Sequence, residues 1–123
     1  MVSHPLIDYG NHTFNHYILS SLDNSEQESE IKENKTFFVK NQVAESKIFA
    51  IPNGSFSDFN NATIDLLIKY NYKGVLLSTN MININNLKQI NNKLLVANRY
   101  MVPDTFHKFQ KRLPRIIIES LIG

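Results

Sequence analysis

Two histidines stand four residues apart in the segment GNHTFNH, residues 10–16. On a helical turn that spacing places both imidazoles on one face, close enough to share a metal ion. Neutral imidazole is the commonest nitrogen ligand of zinc and similar divalent ions. A catalytic zinc normally takes three protein ligands and keeps one position open for water. His12 and His16 are therefore predicted to form half of a metal site, which other residues must complete.

The residues around the first histidine favour a metal site, although His-x-x-x-His also occurs by chance in many helices. Gly10 and Asn11 are typical of a point where a strand, predicted at residues 6–9, breaks into a loop. Thr13 can cap or orient the turn that follows. Strand ends that deliver side chains into loops are where α/β barrels keep their catalytic groups, so we expect the pair at such an edge.

Composition limits the classes of protein to which the chain can belong. With 123 residues, 42% of them hydrophobic, it can bury one core, and we expect one domain over residues 1–123 or part of one. The 13 basic and 11 acidic residues are interspersed, which argues against a nucleic-acid surface. No apolar run approaches the ~20 residues of a membrane span. Cysteine is absent, which excludes disulfides and a thiol nucleophile.

The first residues contain no recognisable targeting signal. Its first residues lack the basic and apolar regions of a signal peptide, so none is expected, and the bacterial cytoplasm and the cell envelope both stay open.

Strands and helices are predicted to alternate. The apolar runs predict strands at residues 6–9, 47–51, 75–78 and 94–101. A long amphipathic helix is predicted at residues 26–45, with a capping box of Ser25 and Glu28. Its apolar face is expected to carry Ile31, Phe38, Val39 and Val43. A second helix is expected from Ser57 or Asp58 to residue 71, with Ala62, Leu66, Ile68 and Tyr70 among its buried residues.

The secondary structure predicted for the C-terminal third is less regular. Leu87 and Ile90 fall on one possible helical turn, and Pro103-Asp104 is expected to start a helix that ends before Pro114. The apolar residues 116–122 then form either a last strand or an exposed end. The alternation of strands with helices of crossover length predicts a parallel α/β sheet or a partial (β/α) barrel of about three to four βα units.

Two segments resemble motifs of one enzyme family. Segment 8–16, DYGNHTFNH, resembles the second motif of the polysaccharide deacetylases (the NodB-homology domain, carbohydrate esterase family 4), which reads His-Ser/Thr-x-x-His. Segment 49–54, FAIPNG, resembles the third motif in its variant form Phe-Ala-x-Pro-x-Gly. Residues 61–72 look like the helix that usually follows, and segments 75–78 and 98–102 match a later strand and an Arg-bearing segment. The similarity covers roughly residues 6 to 110.

The resemblance implies a distorted (β/α) barrel that removes acetyl groups from N-acetylated sugars. In such enzymes two His and one Asp hold zinc or a related divalent ion, and a nearby Asp acts as general base. His12 and His16 would be the metal ligands carried over to this chain. The loop of Pro52, Asn53 and Gly54 would line the sugar-binding rim, where backbone N–H groups can face the oxyanion.

The chain departs from the family's pattern where the two catalytic aspartates should be. The family's first motif, Thr-Phe-Asp-Asp-Gly, supplies the base and the third ligand upstream of the histidines, and this chain begins eleven residues before His12. We therefore expect an N-terminally truncated domain without its base. Ala50 replaces an Arg that is common before the third-motif proline, and Trp is absent. His107 does not match the Leu-x-Leu-His motif that usually supplies the general acid.

Other candidate residues are expected to serve structure. Asp8 and Asp58 could supply a substitute carboxylate, but surface or structural roles are the expectation for both. Arg99 matches a family position that more often braces the active-site acid than contacts substrate. His4 is expected to be exposed. Core or rim positions, rather than sugar platforms, are expected for four aromatic residues: Tyr9, Phe14, Phe49 and Phe56.

Three hypotheses for the function follow. The first is a metal-dependent hydrolase that deacetylates an amino-sugar glycan, completed by a missing N-terminal half. The second is a non-catalytic module that binds a glycan or a partner and retains a metal half-site. The third is an unrelated small α/β regulatory domain. Because an incomplete barrel exposes a parallel edge, the isolated chain is expected to be poorly soluble, homo-oligomeric or dependent on a partner.

Overall fold

The computed structural model describes residues 4–79, 81–83 and 88–122. Strands and helices alternate along most of this length, as the sequence predicts. The elements in chain order are β1 (Tyr9–Asn11), α1 (Asn24–Lys40), β2 (Glu45–Ala50), α2 (Asn61–Lys69), β3 (Gly74–Leu77), β4 (Lys88–Ile90), β5 (Leu94–Asn98) and α3 (Phe106–Ile122). A short 3-10 turn, Leu19–Ser21, precedes α1.

The strands form one sheet in the order β1-β2-β3-β5-β4. β1, β2, β3 and β5 are parallel to one another, and β4 pairs antiparallel with β5. The predicted α/β class with a parallel sheet is therefore confirmed. Because parallel strands share one carboxyl edge, the loops that follow β1, β2, β3 and β5 meet on the same side of the sheet, which is where ligand sites of such sheets lie.

The core lies between this sheet and the first two helices. Phe49, Leu67 and Leu77 are fully buried there. Further buried members of the same cluster are Leu19, Ile31, Ile51, Ile64, Leu66, Tyr72, Val75, Leu94 and Val96. Within the part of the chain that the structure describes, no helix has the length and apolarity that crossing a bilayer requires.

The N-terminal strand and first helix differ from their predicted limits. The first strand begins at Tyr9 rather than at residue 6. The capping box of α1 uses Asp23 and Glu26 instead of Ser25 and Glu28, because the Asp23 carboxylate accepts the Glu26 N–H while Glu26 accepts the Asp23 N–H. α1 ends at Lys40 and not at residue 45, since Gln42 takes a left-handed φ of 55°.

Most predicted buried positions of the two helices are confirmed. Ile31 and Phe38 of α1 are buried, whereas Val39 is 79% exposed and was wrongly placed on the apolar face. α2 starts after the cap residue Asn60, later than the predicted Ser57 or Asp58, because Asn60 accepts the Thr63 N–H. The α2 residues predicted to be inside are buried or half-buried: Ala62, Leu66, Ile68 and Tyr70.

The C-terminal third contains two corrections. Ile90 belongs to strand β4 instead of a helical turn, because Asn91 and Asn92 both have left-handed φ values (51° and 52°) and turn the chain into a hairpin. Leu87 lies outside the described residues. The last helix does not stop before Pro114 but continues to Ile122, so residues 116–122 are not a strand. The alternative of an exposed end holds for Ile117, Ile118 and Leu121, whereas Ile116 is buried.

A tertiary contact explains why α3 tolerates a proline. Ile116, two residues after Pro114, is only 6% exposed and therefore packs against the body of the domain. Ser120 Oγ, one turn later, accepts the Ile82 N–H at 2.9 Å. These contacts hold the second half of the helix in place although Pro114 cannot donate an intrahelical hydrogen bond.

Candidate active site

The two histidines lie in a loop that leaves the carboxyl end of β1. The predicted helical turn is wrong, because Thr13 and His16 both have left-handed φ values, 65° and 62°, which no helix accommodates. The loop nevertheless brings the side chains together. The ring centroids of His12 and His16 are 4.7 Å apart, with an interplanar angle of 78°.

His12 is oriented by the neighbouring strand. Its Nδ1 lies 2.7 Å from the carbonyl oxygen of Ala50, the last residue of β2. Because a carbonyl can only accept, Nδ1 carries the proton and Nε2 keeps its lone pair. In metal-binding histidines, the ring nitrogen that does not bind the metal typically donates such a hydrogen bond.

The surroundings of His12 favour its neutral form. Burial lowers the pKa of the half-buried His12, the hydrogen bond to Ala50 opposes that effect, and the charges of His16 and Arg99 lower the pKa further. His16 is exposed, so the pair is open to solvent on one side.

Arg99 joins the site from β5. It directly follows this strand, and its Nη2 donates to the carbonyl oxygen of Ile51 at 3.0 Å. Its Nε atom is buried and has no hydrogen-bond partner among the described residues. A buried guanidinium N–H without an acceptor is costly, and a carboxylate is the group that best satisfies it.

The loop after β2 has a defined internal structure. Pro52 and Gly54 are buried, whereas Asn53 is exposed. The Gly54 N–H donates to the Pro52 carbonyl at 2.7 Å, so this N–H is not free to face an oxyanion, contrary to the prediction. Gly54 also has a φ of 87° and its carbonyl accepts the Ser78 N–H at 2.9 Å. Its glycine identity thus serves close packing against the end of β3.

The site lacks a third metal ligand among the described residues. Residues 4–79, 81–83 and 88–122 contain no group of three His, Cys, Asp or Glu side chains that could hold one ion. Asp58 is occupied locally, since its carboxylate accepts the N–H and the hydroxyl of Ser55. Asp8 and His107 are exposed, and so is His4, as predicted. The donor set therefore fits two positions of a nitrogen-ligated metal centre and leaves the others open.

The four aromatic residues predicted to take core or rim positions are divided between core and surface. Phe49 is buried in the core, whereas Tyr9, Phe14 and Phe56 are exposed to 39%, 51% and 65%. A groove of about 640 Å³ runs along the outer side of α1 between Phe14 and Phe37, and neither histidine lines it. The candidate site is therefore the open edge of the sheet and not this groove.

Comparison with known proteins identifies the family. The sequence model of the polysaccharide deacetylases matches residues 1–75, which is more than half of the chain. The chain belongs to the polysaccharide deacetylase family. The family and the α/β fold that the sequence motifs predicted are therefore confirmed.

A solved deacetylase shares the fold. The structure titled "Streptococcus pyogenes deacetylase PplD in complex with acetate" is 25% identical in sequence and superposes with a TM-score of 0.57. The match covers 82% of this chain and 42% of that one, so the chain spans less than half of the length of PplD. No functionally curated protein gives a significant match.

Two buried polar residues beside the histidines were missed by sequence reasoning. Asn11 is fully buried and accepts the Thr13 N–H at 3.0 Å, and Glu30 of α1 is only 6% exposed. Helical periodicity gives only a weak signal for Glu30, because it lies about 100° around the helix from Ile31, at the margin of the buried face. Its burial is set by the loop that covers it, which supplies the donors that a buried acceptor needs.

Proposed function

We propose that this chain forms part of a metal-dependent hydrolase that removes N-acetyl groups from an amino-sugar glycan. The observation that carries the proposal is the pair of imidazoles, 4.7 Å apart, one of which is oriented through Nδ1 by the Ala50 carbonyl. In this proposal His12 and His16 are two ligands of zinc or another divalent ion. Membership of the deacetylase family and the family's second motif support this assignment.

Each residue of the site has a distinct part in the proposed reaction. His12 binds through Nε2, since Nδ1 is held by Ala50, and the exposed His16 binds beside it. A bound divalent ion would lower the pKa of a water molecule and stabilise the oxyanion of the tetrahedral intermediate. Asn53, between Pro52 and Gly54, is exposed, and we propose that its side chain meets a sugar hydroxyl at the rim of the site.

The general base is proposed to come from outside the described residues. Arg99 supports this idea, because its buried Nε has no acceptor within them and a carboxylate placed there would form a charge-assisted hydrogen bond. We accordingly propose that residues 1–123 are one piece of a longer catalytic domain, in line with the 42% of PplD that the match covers. The same added segment would pair with β1, which is an edge strand.

A second candidate function is a non-catalytic module that binds a glycan or a partner protein. It is favoured by the lack of a third ligand among residues 4–79, 81–83 and 88–122. In that case the imidazole pair is retained without holding a metal, and the exposed loop residues alone meet the ligand.

Zinc binding to the full chain separates the two functions. Calorimetry would compare the wild-type chain with the double variant His12→Ala/His16→Ala and with His107→Ala, an exposed histidine on α3 that serves as control. We expect zinc to bind the wild type and His107→Ala equally and the double variant at least tenfold more weakly. Equal binding by all three chains would contradict the metal site and favour the binding module. No binding by the wild type would show that the site is not completed within this chain, which is then a fragment of the enzyme or a non-catalytic module.

Acetate release tests the reaction itself. Oligomers of N-acetylglucosamine, with zinc, would be given to the chain alone and to the chain with an added peptide that carries an Asp-Asp strand. The proposal expects activity to need the added carboxylates. Activity of the chain alone would show that its own residues supply the base.

A further inference from the structure

Glu30 lies beneath the loop that carries both histidines. It belongs to the second turn of α1, and its side chain is almost fully removed from solvent. The loop residues above it, Phe14 and Asn15, are exposed. A buried carboxylate needs hydrogen-bond donors, and here they come from the loop.

Both oxygens of Glu30 accept hydrogen bonds from this loop. Oε2 accepts the backbone N–H groups of Phe14, at 3.1 Å, and Asn15, at 2.7 Å. Oε1 accepts the side-chain Nδ2 of Asn15 at 2.6 Å. No lysine or arginine among the described residues forms a salt bridge with Glu30. Its charge is therefore met by amide donors of one loop, all within four residues of His12.

All four backbone N–H groups from Thr13 to His16 donate to side-chain oxygens. Glu30 accepts two of them, those of Phe14 and Asn15. The side-chain oxygen of Asn11 accepts the Thr13 N–H, and the Thr13 hydroxyl accepts the His16 N–H, each at 3.0 Å. Because two loop residues have left-handed φ values, such a conformation persists only when surrounding groups fix it.

We propose that Glu30 is a positioning residue that fixes the distance and angle between the His12 and His16 rings. This inference rests on the proposed function for its consequence, namely that the ring pair is set to bind a metal ion. Glu30 acts on the rings through the loop backbone, because its carboxylate binds Phe14 and Asn15 in the middle of the loop and His16 follows directly. Among the described residues Glu30 forms its hydrogen bonds with Phe14 and Asn15 and not with either imidazole, so it would act through the loop.

Substitution at Glu30 tests the role of its acceptor oxygens. Glu30→Met keeps the length of the side chain and removes both acceptors. Glu30→Gln keeps one oxygen for the two backbone N–H groups, and its NH₂ can donate to Asn15 after the Asn15 amide turns over. Glu33→Met is the matched control, because Glu33 lies on the exposed side of the same helix and, within the described ranges, accepts only the Ser29 hydroxyl.

The metal-free protein gives the first readout. In nuclear magnetic resonance spectra we expect a contact between the His12 and His16 rings in the wild type, Glu33→Met and Glu30→Gln, and its loss in Glu30→Met. Zinc affinity should fall about 10- to 100-fold in Glu30→Met, as when other outer partners of metal ligands are removed. Glu30→Gln should restore most of it. A merely structural role would lower thermal stability and leave the ring contact unchanged, which would overturn the inference.

The wild-type protein provides a measurement that no folding failure can obscure. If Glu30 holds the loop, the N–H groups of Phe14 and Asn15 must exchange slowly with solvent although both residues are exposed. Fast exchange of these two amides would overturn the inference even if Glu30→Met failed to fold. If the ring contact and slow exchange are found but zinc does not bind, the positioning role stands and the proposed metal site is not complete within this chain.

Discussion

Asn11 is the buried residue that joins the end of β1 to α1 and to the core. Its Nδ2 lies within hydrogen-bond distance of three acceptors: the Ile31 carbonyl (3.2 Å), the Tyr72 hydroxyl (2.9 Å) and Glu45 Oε1 (3.4 Å). Its Oδ1 accepts the N–H of Thr13 and the Nδ2 of Asn34. The substitution Asn11→Asp preserves shape and replaces only the donor group with a second acceptor.

The expected cost of Asn11→Asp follows from these distances. The new carboxylate oxygen would face Glu45 Oε1 at the 3.4 Å that now separates it from Nδ2. Two unit charges at that distance repel by about 5 kcal/mol at an effective dielectric constant of 20. Lys35, which forms a salt bridge with Glu45 at 2.7 Å, offsets part of the repulsion. We therefore expect the free energy of unfolding to fall by about 3–5 kcal/mol at pH 7, the usual cost of an uncompensated buried charge.

The loss should depend on pH. Repulsion and burial raise the pKa of the carboxyl group introduced by Asn11→Asp in the folded state above its unfolded value of about 3.9. The folded state then binds a proton more tightly than the unfolded state, so the destabilisation is complete above the folded pKa. It shrinks as the pH falls through that value toward about 3.9.

Urea unfolding of both chains between pH 4 and pH 8 measures the effect. Asn24→Asp is the control, because Asn24 is exposed at the start of α1, where a negative charge is tolerated or favourable. Its free energy of unfolding should stay within about 0.5 kcal/mol of the wild type. A loss below about 1 kcal/mol for Asn11→Asp, or a loss independent of pH, would refute the reasoning from Coulomb repulsion.

Two further predictions concern stability. Gly54→Ala should lower the free energy of unfolding by about 2–4 kcal/mol, because alanine is strained in the left-handed backbone and crowds its neighbours. A Cβ atom at this position would lie 2.5 Å from the Ser78 nitrogen. An unchanged denaturation midpoint would contradict this prediction. Burial, and then the hydrogen bond to Glu45, raise the pKa of Tyr72 in the folded state. The stability due to neutral Tyr72 is thus fully present below about pH 10 and is lost as the pH rises above it. The free energy of unfolding of the wild type should therefore fall more steeply above about pH 10 than that of Tyr72→Phe. Equal dependence on pH in the two chains would contradict the raised pKa of Tyr72.

The sequence sufficed for the elements whose local signals agreed with the tertiary structure. Strand β3 and the buried face of α2 are apolar runs bounded by turn residues, and both appear within four residues of their predicted limits. The predicted end of the last helix before Pro114 was wrong, because packing of Ile116 outweighs the local cost of the proline. Local rules could not anticipate a tertiary contact of this helix such as the hydrogen bond from Ile82 to Ser120, which are 38 residues apart in the sequence.

The types and spacing of His12 and His16, with the FAIPNG segment, were enough to indicate the family and the histidine pair. How the pair is arranged was decided only in three dimensions. The spacing suggested a helical turn, but the rings meet across a loop with two left-handed residues. That loop persists because side-chain oxygens, chiefly those of Glu30 on α1, accept backbone N–H groups that have no helical partner. The Ala50 carbonyl of β2 separately fixes the ring of His12.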